Sequence, residues 1–265
     1  MERGENFRRF RGVDGVKGEV AISNECIRIV DGSRLYGTSL DEGGDEDQMG
    51  VFIEPPDYVI GFQQMEQYKW RSQPEGVKSG PGDLDLTIYS LRKYLSLALQ
   101  GNPSVLMLLF APEHLVLYEN LVGIELQDLY PLIISKRAHS RFVGYLKAQR
   151  MRLTGEKRGH TPSRPELIAQ HGYDTKFAMH AARLGYQGIE LMETGRLTLP
   201  IEGELRDHLV GIRSGEHSYQ GVLAELEAVE ERLMKSHDSS DLRDEPDFDA
   251  IEEWLIQTHL DHWRK

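Results

Sequence analysis

Two apolar runs of strand length, Cys26-Ile27-Arg28-Ile29-Val30 and Met49-Gly50-Val51-Phe52-Ile53, are separated by a Gly32-Ser33 pair and an Asp45-Glu46-Asp47 triplet. This arrangement constrains the chain more than any other part of it. If a strand begins at Asp45, side chains alternating with a period of two put Asp45 and Asp47 on one face. Carboxylates side by side repel each other unless positive charge stands between them. A divalent cation answers that need, because Mg²⁺ is held by one or two carboxylates together with substrate phosphates. The Gly32-Ser33 turn can bring backbone N–H groups and a hydroxyl against a phosphate. The pattern points to phosphoryl or nucleotidyl transfer.

The triplet also reads as a solvated turn. As an EF-hand loop counted from Asp45 it fails, with Met49 fifth and Pro56 twelfth, where a bidentate Glu is required. No GxxxxGK[ST] phosphate loop is present. A third carboxylate decides between the readings. Gly82-Asp83-Leu84-Asp85-Leu86-Thr87-Ile88-Tyr89 alternates polar and apolar like a half-buried strand. Asp85, between two leucines, can face Asp45 and Asp47 from a neighbouring strand. Two metals about 3.5–4 Å apart need such a trio to align an attacking oxygen with a leaving pyrophosphate. Asp83 faces the same side and competes, nearer the Gly80-Pro81-Gly82 turn.

A Gly-Ser pair, an Asp-x-Asp and a later strand Asp together resemble the DNA polymerase β-like nucleotidyltransferase superfamily. More narrowly, the chain resembles the RNA-repair-pathway polymerase β family of nucleotidyltransferases. That likeness rests on Tyr89-Ser-Leu-Arg-Lys-Tyr-Leu, Gly101-Asn102-Pro103 through Phe110-Ala-Pro, Tyr173-Asp-Thr-Lys176, His180, Arg183-Leu and Glu193-Thr-Gly195-Arg-Leu. It runs from about Ile27 to Arg213. Met107 departs from it, at a position where relatives are expected to carry an acid. The resemblance implies an α+β fold: a mixed sheet with helices, followed by a helical domain, with the active site in the cleft between them. It also favours an RNA 3′-hydroxyl acceptor, of tRNA type.

The chain has 265 residues, enough for one large domain or two modest ones. We expect a catalytic unit over 1–112, a helical substrate-binding unit over 113–220 and acidic helices over 221–265. Strands are expected at 26–31, 47–54, 62–70 and 84–89, and a helix over Leu91–Gln100 stopped by Gly101. The Gln73–Gly82 stretch reads as a loop beside the third carboxylate, either a gating segment or a passive turn. From Glu113 the texture is helical, with an apolar helix leading in over 103–110. Amphipathic segments follow at 135–154 and 174–186, then a long helix through Leu223, Leu226, Val229 and Leu233, and another from Phe248 to Trp263. One cysteine, Cys26, excludes an intrachain disulfide. No run approaches a membrane span and no zinc-type spacing appears, so a cytoplasmic protein is expected.

Charge is unevenly placed. Residues 136–164 hold nine Lys or Arg against the single acid Glu156, a local +8 that leaves −20 for the rest of a chain totalling −12. Arg150, Arg152, Lys157 and Arg158 are the candidate RNA contacts in this stretch; a solvated helix face is the alternative. Lys176, His180 and Arg183 stand at i, i+4 and i+7, with Tyr173 one turn earlier, a polar stripe suited to a triphosphate tail or a nucleic-acid backbone, with a charged surface face as the alternative. Asp45, Asp47 and Asp85 are then the ligands of two Mg²⁺ ions, for which Mn²⁺ can substitute. Gly32, Ser33, Arg34 and Lys176 hold the phosphates of an NTP, with Tyr173, His180 and Arg183 completing the nucleotide site. Transfer to a protein or small molecule is the competing acceptor reading, and a catalytically silent nucleotide- or RNA-binding module is the third.

Overall fold

The computed structural model describes residues 15–40, 44–74, 76–77, 79–156 and 164–264. Helix α1 (Gly15–Ser23) leads into β1 (Glu25–Val30), followed by α2 (Gly32–Tyr36) and β2 (Glu46–Phe52). Next come β3 (Gln67–Arg71), β4 (Leu84–Ser90), α3 (Leu91–Leu99), β5 (Val116–Glu119) and α4 (Leu121–Asp128). The remainder is helical: α5 (Arg137–Leu153), α6 (Pro165–His171), α7 (Thr175–Thr194), α8 (Gly203–Ser214), α9 (Tyr219–Ser239) and α10 (Phe248–Trp263).

The sheet has the order β3-β4-β2-β1-β5. β2 and β4 are parallel, and the other neighbours are antiparallel. The fold is therefore α+β with a mixed sheet. β1 is buried along its whole length, as a strand flanked on both edges and covered on both faces must be. Its charged residues answer each other, Arg28 Nε lying 3.1 Å from Glu25 Oε1. Burial still pushes the Glu25 carboxyl up to about 8. Cys26 is a small, fully buried core residue.

The expected first, second and fourth strands are β1, β2 and β4. The third is shorter than 62–70, because Phe62 and its neighbours are exposed and the buried pattern begins at Met65. The 103–110 segment divides into one α-turn, Pro103–Leu106, and a 3-10 turn, Met107–Phe110. Beyond Glu113 the helical reading misses β5, which pairs with β1. Four residues are too few to display a period.

One apolar cluster joins sheet and helices, running from Ile27 and Ile29 through Leu95, Phe142 and Leu146 to Leu233 and Ile251. At its centre, α7 crosses α5 and α9 closely. A Cβ on Gly185 would lie 2.2 Å from Val229 Cγ1 and 2.9 Å from Leu146 Cδ1, so the crossing requires glycine. α10 returns to the sheet: His259 Nε2 meets Glu54 Oε2 at 3.1 Å, and Trp263 Nε1 donates to the Glu54 carbonyl at 2.8 Å.

Candidate active site

The acidic side of the site is assembled where β1 ends and β2 and β4 begin. Asp45 immediately precedes β2, and Asp47 stands directly beside Asp85 in the parallel register. Residues so aligned on parallel strands point to the same face, so Asp45, Asp47 and Asp85 share it. Asp83 closes its turn instead, accepting from Gly80 N at 2.9 Å and Ser72 Oγ at 3.0 Å. Asp31, at the end of β1, donates its N–H to the Asp47 carbonyl at 2.7 Å. Gly32 follows with φ +66°, and a Cβ there would stand 2.2 Å from Asp47 Oδ2. Any side chain at 32 would displace that carboxylate.

This crowding is visible in the electrostatics. Burial, then Asp45, Asp31 and Asp85, push the Asp47 carboxyl up to about 6, and Lys176 only partly offsets them. Burial also raises Asp31, against the pull of the Gly32 amide and Arg183. Its Oδ1 is enclosed without a hydrogen-bond partner among the described residues. Asp85 is held below the usual carboxylate range by Arg71, Ser79 and Gln73, which outweigh its desolvation.

The cationic side comes from the start of α7. Asp174 caps this helix, its Oδ1 accepting from Lys176 N at 3.0 Å and Phe177 N at 3.2 Å, which presents Lys176 on the first turn. Burial and the neighbouring Arg164 and Arg213 lower the Lys176 amine, while Asp45 and Asp47 pull it back up. Cations crowded beside crowded carboxylates are a place for a bound polyanion and its counter-ions.

Several expected nucleotide contacts are placed elsewhere. Arg183 is 7% exposed and stacks on Tyr36, its Cζ 3.6 Å from the ring centroid, with Nη1 donating to Gln187 at 2.7 Å. Tyr173 is 3% exposed and its hydroxyl donates to the His217 carbonyl at 2.8 Å. Tyr173 is a frame residue, whereas Arg183, though buried, stands close enough to Asp31 to lower its carboxyl. His180 is held well below the ordinary histidine range by burial and by Arg183, Lys176, Arg164 and Arg213, so it is not the cation the stripe implied. Arg34 is drawn to Glu46, at 3.7 Å, whose side chain alternates away from Asp45 and Asp47. Gly32 stands against Asp47, Lys176 is coupled to Asp45 and Asp47, and Ser33 follows Gly32 on the first turn of α2.

The basic stretch is partly spent on internal pairs. Arg150 and Lys147 both meet Glu230 of α9, at 3.2 and 3.3 Å. Lys136 and Arg137 pair with Asp244 and Glu245. Arg152 lies over the Phe177 ring at 6.0 Å. Lys157 and Arg158 lie outside the described residues.

Residue patterns did not single out Asp31, Arg164 or Arg213 for the nucleotide site. Asp31 had a signal, since it ends the apolar run directly before Gly32. The two arginines had none, being brought to Lys176 by packing between α6, α7 and α8.

The donors Asp45, Asp47 and Asp85 suit a hard divalent cation, being mutually repelling carboxylates, with the partnerless Oδ1 of Asp31 beside them. Among the described residues no three acidic or imidazole groups converge as a ready-made metal cage, and Asp85 is paired with Arg71. The residues fit the ion in kind and charge.

A 38.9 kDa uncharacterized protein of the nrdC-mobD intergenic region of Enterobacteria phage T4 is 28% identical over 124 residues, 44% of this chain. The match covers 35% of that relative, so the chain spans about a third of its length. A crystal structure of a nucleotidyltransferase-like protein from Exiguobacterium sibiricum is similar over 84% of this chain and 72% of that one, with 11% identity and a TM-score of 0.30. The family model for the RNA repair pathway DNA polymerase beta family matches residues 26–257. The chain belongs to that family, of the polymerase β type.

Proposed function

We propose that the protein is a metal-dependent nucleotidyltransferase that moves an NMP from an NTP to an acceptor hydroxyl with release of pyrophosphate. The acceptor in this reading is an RNA 3′ end, of tRNA type, in RNA repair. The observation that carries it is the register of β2 and β4, which sets Asp47 beside Asp85 with Gly32 against Asp47 and Lys176 across the cleft. Asp45, Asp47 and Asp85 would hold two Mg²⁺ ions, or Mn²⁺. Bound there, the ions would neutralise the triphosphate and favour deprotonation of the attacking hydroxyl. Gly32 and Ser33 offer backbone N–H groups and a hydroxyl to the β- and γ-phosphates. Lys176, with Arg164 and Arg213 behind it, adds positive charge where pyrophosphate develops. Asp85 orients the acceptor hydroxyl. Its oxygen forms the new bond to the α-phosphorus as the bond to the β-phosphate oxygen breaks. Catalysis is then positioning and charge neutralisation.

The test is incubation with each labelled NTP, Mg²⁺ and total tRNA. Label is expected in tRNA, and label absent from RNA under all four nucleotides overturns the acceptor. One observation favours a second reading. The pairing of Lys147 and Arg150 with Glu230, and of Lys136 and Arg137 with Asp244 and Glu245, leaves less basic surface for RNA. A protein or small-molecule acceptor needs no such surface, and label would then appear on that acceptor.

A further inference from the structure

Arg71 ends β3 directly opposite Asp85 in the antiparallel register. Its Nε donates to Asp85 Oδ1 at 2.8 Å, and Gln73 Nε2 donates to the same oxygen at 3.0 Å. Ser79 Oγ donates to Oδ2 at 2.8 Å. The Ser79 oxygen in turn accepts from Arg71 Nη2 at 3.0 Å and from Gln73. The hydroxyl is saturated, giving one proton and receiving two N–H groups. Both oxygens of Asp85 are engaged while it lies beside Asp47 in the register.

This closed network stands at an accessible place, the Arg71 and Asp85 side chains being 41% and 29% exposed. A solvent-borne ligand can therefore compete for either partner. A guanidinium fork matches a phosphate as well as a carboxylate. Exchanging both partners together, a cation for the guanidinium at Asp85 and a phosphate for the carboxylate at Arg71, strands no charge.

We propose that Arg71 is an internal counter-ion of the nucleotide site, holding Asp85 while no divalent cation is bound and passing to a phosphate oxygen when a cation–nucleoside triphosphate complex enters. The proposal rests on the metal-dependent reading above. It makes cation and nucleotide each strengthen the other's binding, since either alone must break the Arg71–Asp85 pair without the matching replacement.

The experiment is Mn²⁺ titration of the full chain by electron paramagnetic resonance, with and without a non-hydrolysable NTP analogue. Arg71→Ala should bind free Mn²⁺ roughly three- to tenfold more tightly than wild type, the size expected for removing an accessible ion pair with its hydrogen bonds. The gain in Mn²⁺ affinity produced by the analogue should shrink by the same factor. Asp47→Asn is the control for the underlying reading. Weakened Mn²⁺ binding in Asp47→Asn, with unchanged or weaker binding in Arg71→Ala, overturns the counter-ion role alone. Unchanged binding in both overturns the metal site itself. If Arg71→Ala melts early, Ser79→Ala decides: it frees only Oδ2, so the same direction at smaller size supports the proposal and no change overturns it.

Discussion

Asp47 is a half-buried carboxylate with Asp45, Asp31 and Asp85 close enough to raise it to about 6. A carboxyl with a folded value above its unfolded one near 3.9 favours folding while protonated. That contribution is fully present below about pH 4 and is lost as the pH rises through about 6. Asp47→Asn should therefore be more stable than wild type in EDTA at pH 7, by about 1 kcal/mol once solvent screening of a half-exposed group is allowed for. At pH 4 the difference should vanish, and urea midpoints at the two pH values measure it. Equal midpoints at pH 7 would remove the like-charge crowding. The same variant should show no nucleotide transfer in Mg²⁺. Asp85→Asn should lower turnover by roughly two orders of magnitude, the loss expected if it orients the attacking oxygen. Asp83→Asn should loosen the Ser72–Gly80 turn and keep near-normal turnover. The opposite ranking in single-turnover assays would move the assignment by one pleat.

At the scale of elements, what could be read from the sequence was what carries a period. β4 announced itself by alternation, β1 and β2 by apolar runs of strand length, and the long α9 by its apolar spacing through Leu223, Leu226, Val229 and Leu233. β5 carried no period. The stripe on α7 shows a subtler limit. Lys176 and Arg183 do lie on nearly one line, but seven residues separate them by about 10 Å along the axis. Periodicity gives direction around a helix and says nothing about burial along it. Lys176 is half-buried and coupled to Asp45 and Asp47, while Arg183 is buried on Tyr36 beside Asp31. Arg71, opposite Asp85, was invisible because strand pairing between distant segments brought the two together. Close crossing of α7 and α9 gives an element-scale prediction. Gly185→Val should destabilise the fold by roughly 1–3 kcal/mol through overpacking against Val229 and Leu146. Thermal melts would register this, and a wild-type midpoint would mean that the helices can separate at no cost.

Over the whole molecule, charge is arranged so that the acidic helices of the second half meet the basic helix α5. The net −12 is thus an average over opposed surfaces. If RNA follows the 136–164 stretch, neutralising Arg150, Arg152, Lys157 and Arg158 together should weaken RNA binding and flatten its salt dependence. The log–log slope should fall by up to roughly 0.7–0.9 for each phosphate that is no longer neutralised, while NTP binding stays close to wild type. An unchanged slope in filter-binding titrations would favour a protein or small-molecule acceptor. The return of α10 to the sheet adds a constraint of another kind. Glu54, beyond the end of β2, receives Leu91 N–H at 3.1 Å and His259 Nε2 at 3.1 Å, and His262 reaches Asn24 at 2.8 Å. A buried carboxylate deprived of its partner is strongly disfavoured. During synthesis, a chain stalled before residue 259 already carries every carboxylate of the site and lacks the clamp that seats the far end of their strands. The first strands made therefore wait for residue 259 to emerge before Glu54 meets its imidazole partner, which makes this pairing a late event in the life of a nascent chain.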